Sequence, residues 1–151
     1  MPSRSIEPPL FSPGIGPTSA PWRPSQFFSS TMQTISASDE GEYLGEAAGL
    51  VIRLDNDRVV YFAGDTCLFG DMQLIRLLHE PDYAVLPIGD HFTMGPREAA
   101  AAIDMLGRPA IIPCHWGTFP LLTGTPEQLI AEAPDGAVIH DIRPGDTVEL
   151  V

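Results

Sequence analysis

The residues of this chain best suited to chemistry sit in three short stretches, each at the end of an apolar run. The run 59–63 stops at Gly64-Asp65-Thr66, the run 83–89 ("YAVLPIG") stops at Asp90-His91, and "PAIIPC" (109–114) stops at His115. A carboxylate at the tip of a buried strand is costly unless a backbone cap, an arginine or a metal ion meets it. Asp and His offer oxygen and nitrogen donors suited to Zn²⁺, Mn²⁺ or Fe²⁺. Ligands of open α/β sheets bind beyond the carboxyl ends of strands, so donors at three such ends can converge on one point. Two readings stand at this stage. Either the tips build a metal site, or Asp65 caps the turn before Met72 while His91 and His115 are polar loop residues.

Positioning these tips requires alternating strands and helices. "AAGLVIRL" (47–54) and "RVVYFAG" (58–64) are β-rich runs around Asn and Asp, which predicts a hairpin. Apolar residues at 72, 74, 75, 77 and 78 predict a short amphipathic helix stopped near Pro81. The run 83–89 reads as a strand covered on both faces. A helix is predicted over 93–108, with Thr93 as N-cap, Pro96 in the first turn and Gly107 at the end. A buried strand over 109–117 follows, then a helix opened by Thr125-Pro126-Glu127, then two final strands, "AVIHDI" and "DTVELV". The order β-β-α-β-α-β-α-β-β predicts an α/β layer design with a mixed sheet and flanking helices. No internal repeat is visible.

Composition narrows the function classes. The chain has 151 residues and net charge −12, and all eight basic residues are Arg. A surface this acidic repels phosphate backbones, so nucleic-acid binding is not expected. No apolar run is long enough to span a membrane, and the start lacks the apolar core of a signal peptide, so a cytoplasmic protein is expected. Cys67 and Cys114 are too few for a disulfide framework or a four-Cys zinc site. The charge divides unevenly. Residues 1–38 carry a net +1 and seven of the sixteen prolines, whereas 39–151 carry six arginines against nineteen acids. The first segment is therefore expected to be a Pro/Ser-rich leader without regular structure, with Trp22, Phe27 and Phe28 able to dock as an apolar clip. The second is expected to be the folded domain.

The motifs "YFAGDTCLFGDMQLI", "DYAVLPIGDHFTMGPREAAAAI" and "IIPCHWGTFPLL", in this order and spacing, resemble the second half of the metallo-β-lactamase superfamily. The nearest group is a set of uncharacterised bacterial metal-dependent hydrolases related to L-ascorbate-6-phosphate lactonase. The likeness covers about residues 43–134, and "YLGEAAGLVIRL" resembles the strand that begins that half. It implies half of a four-layer αββα sandwich. It also implies a small-molecule ester, lactone or phosphoester as substrate, attacked by water that a metal activates near neutral pH. Asp65 matches the metal-bridging aspartate and His115 the late histidine ligand. Asp65 would also orient the water, and Thr66 would fix the Asp65 carboxylate. His91 matches a pocket-lining position where it would touch substrate or the metal's outer shell. Phe92, Met94, Trp116 and Phe119 would form an apolar wall. Arg97 would meet an anionic group or lie exposed in the first turn of its helix.

The sequence departs from the family in one respect. The superfamily's His-x-His-x-Asp-His run is absent: the four histidines, His79, His91, His115 and His140, lie at least twelve residues apart. Two matched ligands predict a metal that is weakly bound or absent in this chain, because a catalytic zinc keeps three protein ligands. His91 or Cys67 is the substitute third ligand to consider. Cys114 is expected to point away from His115, and His79 and His140 are expected to be structural or exposed. Half a sandwich also leaves an apolar sheet face, which predicts self-association or cover by the leader. The alternative to a hydrolase is a non-catalytic truncated or degenerate domain with a structural or interaction role.

Overall fold

A computed structural model describes residues 23–28, 48–143 and 145–151, with the backbone alone for 23–28. Five strands and three helices are formed among them: β1 (Arg23–Phe28), β2 (Ala48–Arg53), β3 (Val59–Phe62), α1 (Met72–His79), β4 (Tyr83–Pro87), α2 (Pro96–Met105), β5 (Ala110–Cys114) and α3 (Pro126–Glu132). The strands lie in sequence order in one mixed sheet. β2 pairs antiparallel with β1 and β3, while β3, β4 and β5 run parallel. The three parallel strands therefore leave the sheet at the same end.

The predicted hairpin is β2–β3, closed by Leu54 N donating to Arg58 O at 2.8 Å and Asp57 N donating to Leu54 O at 3.0 Å. Asp57 takes a φ of 64°, which Asp tolerates better than most residues. Asp82 anchors the start of β4 to this hairpin. Its carboxylate accepts from Val59 N and from Arg58 Nη1, each at 2.8 Å. Partial burial would raise that carboxyl, but the Val59 amide and the Arg58 guanidinium outweigh it and hold it below the usual carboxylate range.

The α/β crossovers place α1 and α2 on one face of the sheet. Val51, Val59, Tyr61, Ala84, Leu86, Ile88 and Ile111 meet Met72 and Ile75 of α1 and Ala99, Ala102 and Ile103 of α2 in one core cluster. Strand alternation sends Leu50, Ile52, Val60, Phe62, Tyr83, Val85 and Ile112 to the opposite face. There Leu50 and its cross-strand neighbour Phe62 remain 37% and 39% exposed. The last residues reach this face: the Tyr83 hydroxyl donates to Val151 O at 3.1 Å and accepts from Val151 N at 3.2 Å. Among the described residues no helix is long and apolar enough to cross a membrane.

Three expectations change on the structure. Arg23–Phe28 lies within the segment expected to lack regular structure, yet it is a strand, paired residue by residue with Ala48–Arg53. Trp22 and the side chains of Phe27 and Phe28 lie outside the described residues. Helix α2 is capped at Gly95, not Thr93: Glu98 Oε2 accepts from Gly95 N at 3.1 Å, and Thr93 has Pro96 three residues on, where no such partner exists. The two final strands do not form. The free edge of β5 takes a single parallel bridge, Ile111 to Ile139, and further on Asp146 N donates to Arg143 O at 2.9 Å. The α3 start is as predicted: Thr125 Oγ1 accepts from Gln128 N at 3.3 Å and Gln128 Oε1 accepts from Thr125 N at 2.9 Å.

Two glycines set the packing at the strand exits. A Cβ at Gly89 would collide with the His115 carbonyl oxygen, and a Cβ at Gly124 would collide with the Ile88 carbonyl oxygen. Gly124 N donates to Gly89 O at 3.2 Å and Ile88 N to Cys114 O at 3.1 Å, so three backbone segments touch without intervening side chains. Gly89→Ala and Gly124→Ala are each expected to lower the unfolding free energy in urea by about 3 kcal/mol, the upper range for overpacking. Gly70→Ala, where nothing lies within 4 Å of the added atom, is expected to change it little.

Candidate functional site

Each of the three strand exits is bent by residues in the left-handed region. After β3, Ala63 N still pairs with Val85 O at 3.1 Å, and then Gly64 at φ 70° turns the chain so that Asp65 projects outward, its side chain 72% exposed. After β4, Asp90 and His91 take φ 68° and 59° in succession. The Asp90 carboxylate accepts from His91 N at 2.8 Å, and Asp90 N donates to Met94 O at 3.0 Å, which folds this loop onto itself. After β5, His115 takes φ 53° and Gly117 φ 68°. Left-handed conformations are uncommon for non-glycine residues and gather at functional sites, where surrounding contacts hold them.

These bends bring Asp65 and His115 together. His115 Nε2 lies 3.6 Å from Asp65 Oδ2. β4 separates their strands, so the two side chains reach towards each other over the β4 exit, where the close approach of Gly89 to the His115 backbone leaves no room for a side chain. At 3.6 Å the pair is too long for a good hydrogen bond. It does match two ligands of one tetrahedral cation: bonds of about 2.0–2.2 Å put two donors about 3.3–3.6 Å apart. His115 Nδ1 is buried and meets no hydrogen-bond partner among the described residues. Asp65 and His115 thus fit a divalent transition metal as two of its ligands. Among the described residues no group of three His, Cys, Asp or Glu is placed to hold a metal.

The other expected site residues make contacts of their own. Thr66 is buried, but its hydroxyl donates to Cys67 O at 3.0 Å and its carbonyl accepts from Met94 N at 2.9 Å. It therefore fastens the Asp65 loop to the 90–95 loop and does not fix the Asp65 carboxylate. His91 is exposed with its ring edge-on to Phe92 at 4.3 Å, and it completes no group of three with Asp65 and His115. The Phe92 and Phe119 ring centroids lie 6.1 Å apart, and both side chains stay exposed, at 41% and 43%, as a small apolar ledge. Met94, expected beside them, is instead buried in the core because its amide ties it to Thr66. Arg97 is exposed in the first turn of α2, lining a small pocket with Asp90, Gln128 and Glu132. The N-cap of α1 is Asp71, so Asp65 does not cap it. Cys67 is exposed and Cys114 half-buried, neither in a disulfide. His140 lies against Tyr83, ring centroids 6.2 Å apart. The contact of Arg143 with Trp116, at 5.3 Å from guanidinium carbon to ring centroid, had no sequence signal beyond the residue types.

The family model described as a beta-lactamase superfamily domain matches residues 20–116. The chain belongs to the metallo-β-lactamase superfamily. Curated relatives include a UPF0173 metal-dependent hydrolase of Koribacter versatilis, 50% identical over 115 residues, which are 75% of this chain and 48% of the relative. One of Chloroflexus aurantiacus is 51% identical over 108 residues, 70% of this chain and 44% of the relative. The chain thus spans about half the length of the curated relatives it matches. Among solved structures, Igni18, a metallo hydrolase from Ignicoccus hospitalis, aligns with a TM-score of 0.70 and 32% identity, covering 85% of this chain and 52% of that one. An isothiocyanate hydrolase from Delia radicum gut bacteria aligns with a TM-score of 0.55 at 22% identity, covering 78% and 51%, a likeness of fold alone.

Burial, together with the Asp65 charge, pushes the Cys114 thiol up to about 11. Both causes penalise the thiolate, so the anion forms only as pH rises towards that value. At pH 8 Cys114 is expected to alkylate about 100-fold more slowly than an ordinary exposed thiol, measured peptide by peptide with iodoacetamide. Asp65→Asn removes the nearby negative charge and is expected to accelerate Cys114. An unchanged rate would mean that burial alone holds the thiol up.

Proposed function

We propose that this chain carries the Asp65/His115 part of a metal-dependent hydrolase that acts on a small lactone or phosphoester. The observation that carries the reading is the 3.6 Å approach of Asp65 Oδ2 to His115 Nε2 beyond the ends of parallel strands. The names of the curated relatives, metal-dependent hydrolases, support the reaction class. Asp65 and His115 would hold the metal, with zinc, manganese or iron suited to this donor set. When bound, such a cation supplies Lewis-acid polarisation and brings the pKa of a water towards neutrality.

The chain's own residues define the rest. Asp65 is the exposed carboxylate of the pair and can accept a proton from water in its vicinity. His115 presents Nε2 as a lone-pair donor, which requires that the buried Nδ1 carry the proton. The Phe92/Phe119 ledge offers apolar surface for the body of a substrate, and His91 beside it offers a polar contact.

A second reading, a non-catalytic domain with an interaction role, is favoured by the donor count, since a zinc catalytic site keeps three protein ligands. Metal titration separates the two readings. The wild-type chain is expected to take up about one equivalent of Zn²⁺ or Mn²⁺, with affinity below that of three-ligand sites. Asp65→Ala and His115→Ala should each weaken uptake by more than the ~10–100-fold that loss of an outer-sphere partner costs. Turnover of a chromogenic phosphodiester or a lactone should fall with metal occupancy in both variants. Metal uptake untouched by either substitution would overturn the site, and metal uptake without turnover would leave the second reading.

A further inference from the structure

The left-handed turn at His115 must be held by something, and the residue that follows it is the handle. Trp116 packs against the core cluster, and the Arg143 guanidinium lies over its ring at 5.3 Å. The same guanidinium pairs with Glu127 of α3, Nη2 to Oε1 at 3.3 Å. The Arg143 backbone is itself fixed, its N donating to Asp146 Oδ2 at 2.8 Å and its O accepting from Asp146 N at 2.9 Å. The segment that delivers Arg143 is tied to the β5 edge, with Ile111 N donating to Val138 O and His140 N to Ile111 O, both at 2.8 Å. The strand that carries His115 thus also anchors the arginine that covers the next residue.

We propose that Arg143 is a positioning residue for His115: by holding the Trp116 indole between the core and its guanidinium, it keeps the turn at 115–117 in the geometry that points Nε2 at Asp65. The functional part of this inference rests on Asp65 and His115 being the site. Exposed ion pairs and exposed cation–π contacts contribute little to global stability. At 58% and 62% side-chain exposure, Arg143 and Glu127 are such a pair, so the effect of losing them should be local.

The test uses the full chain with Trp22→Phe, which leaves Trp116 as the one tryptophan. Arg143→Gln is expected to raise acrylamide quenching of Trp116 about twofold. It should also speed hydrogen exchange of the 115–117 amides about tenfold and weaken Zn²⁺ binding about tenfold, with the thermal midpoint nearly unchanged. Arg143→Lys keeps a cation over the indole and should recover most of all three effects. Glu127→Gln, which removes only the α3 anchor, should move quenching in the same direction by a smaller factor, and it decides the matter if Arg143→Gln does not fold. Quenching and exchange equal to the parent in Arg143→Gln would overturn the proposal. If both respond but the parent binds no Zn²⁺, the clamp stands and the metal site falls. If Zn²⁺ binds and neither responds, the clamp alone falls.

Discussion

Three parallel strands leaving one sheet at one end impose the constraint on which the rest depends. Their exits must turn away from each other or pack backbone against backbone, and this chain does the second. Gly89 lies against the His115 carbonyl and Gly124 against the Ile88 carbonyl, where no side chain fits. That packing lets the β3 and β5 exits approach over the top of β4. Asp65 and His115, fifty positions apart in sequence, meet as a consequence. The polar pair is thus a product of main-chain contacts between apolar strands, and its chemistry is inseparable from the glycines beneath it.

The core fixes where these exits begin. Tyr61, Leu86 and Ile111 stand on adjacent strands and are buried against α1 and α2, so each exit starts from a fixed point. Thr66 then links the first loop to the second through Met94, and Ile88 links the second strand to the third through Cys114. The opposite sheet face is built differently. It is apolar, but Leu50 and Phe62 keep more than a third of their surface exposed, while His140 and Val151 meet Tyr83 there.

Much of the framework was legible in the sequence because its signals are local. Two β-rich runs around Asn and Asp specified the hairpin, and Thr125-Pro126-Glu127 specified the start of α3. The meeting of Asp65 with His115 was legible from three strand tips carrying donors and from the family's motifs. What stayed hidden depends on tertiary context. Thr93 looks like a cap, but the partner that matters, Glu98, is in register with Gly95. The last two strands have strand-like composition, but the β5 edge accepts only Ile139, and Leu150 and Val151 find side-chain partners in place of a ladder. Met94 is as apolar as the ledge residues around it, and only the Thr66 contact shows that it turns inward. Positive φ at His115, and the arginine that covers its neighbour from 27 residues downstream, have no pattern in a linear chain.

We propose that the Asp65 carboxylate and the His115 imidazole share one cation at the strand ends. Anomalous diffraction at the zinc edge from crystals of the full chain grown with Zn²⁺ addresses it most directly. One strong anomalous peak about 2.0–2.2 Å from both Asp65 Oδ2 and His115 Nε2 is expected. A peak on other residues, or a structure in which those two atoms face different directions, would contradict it.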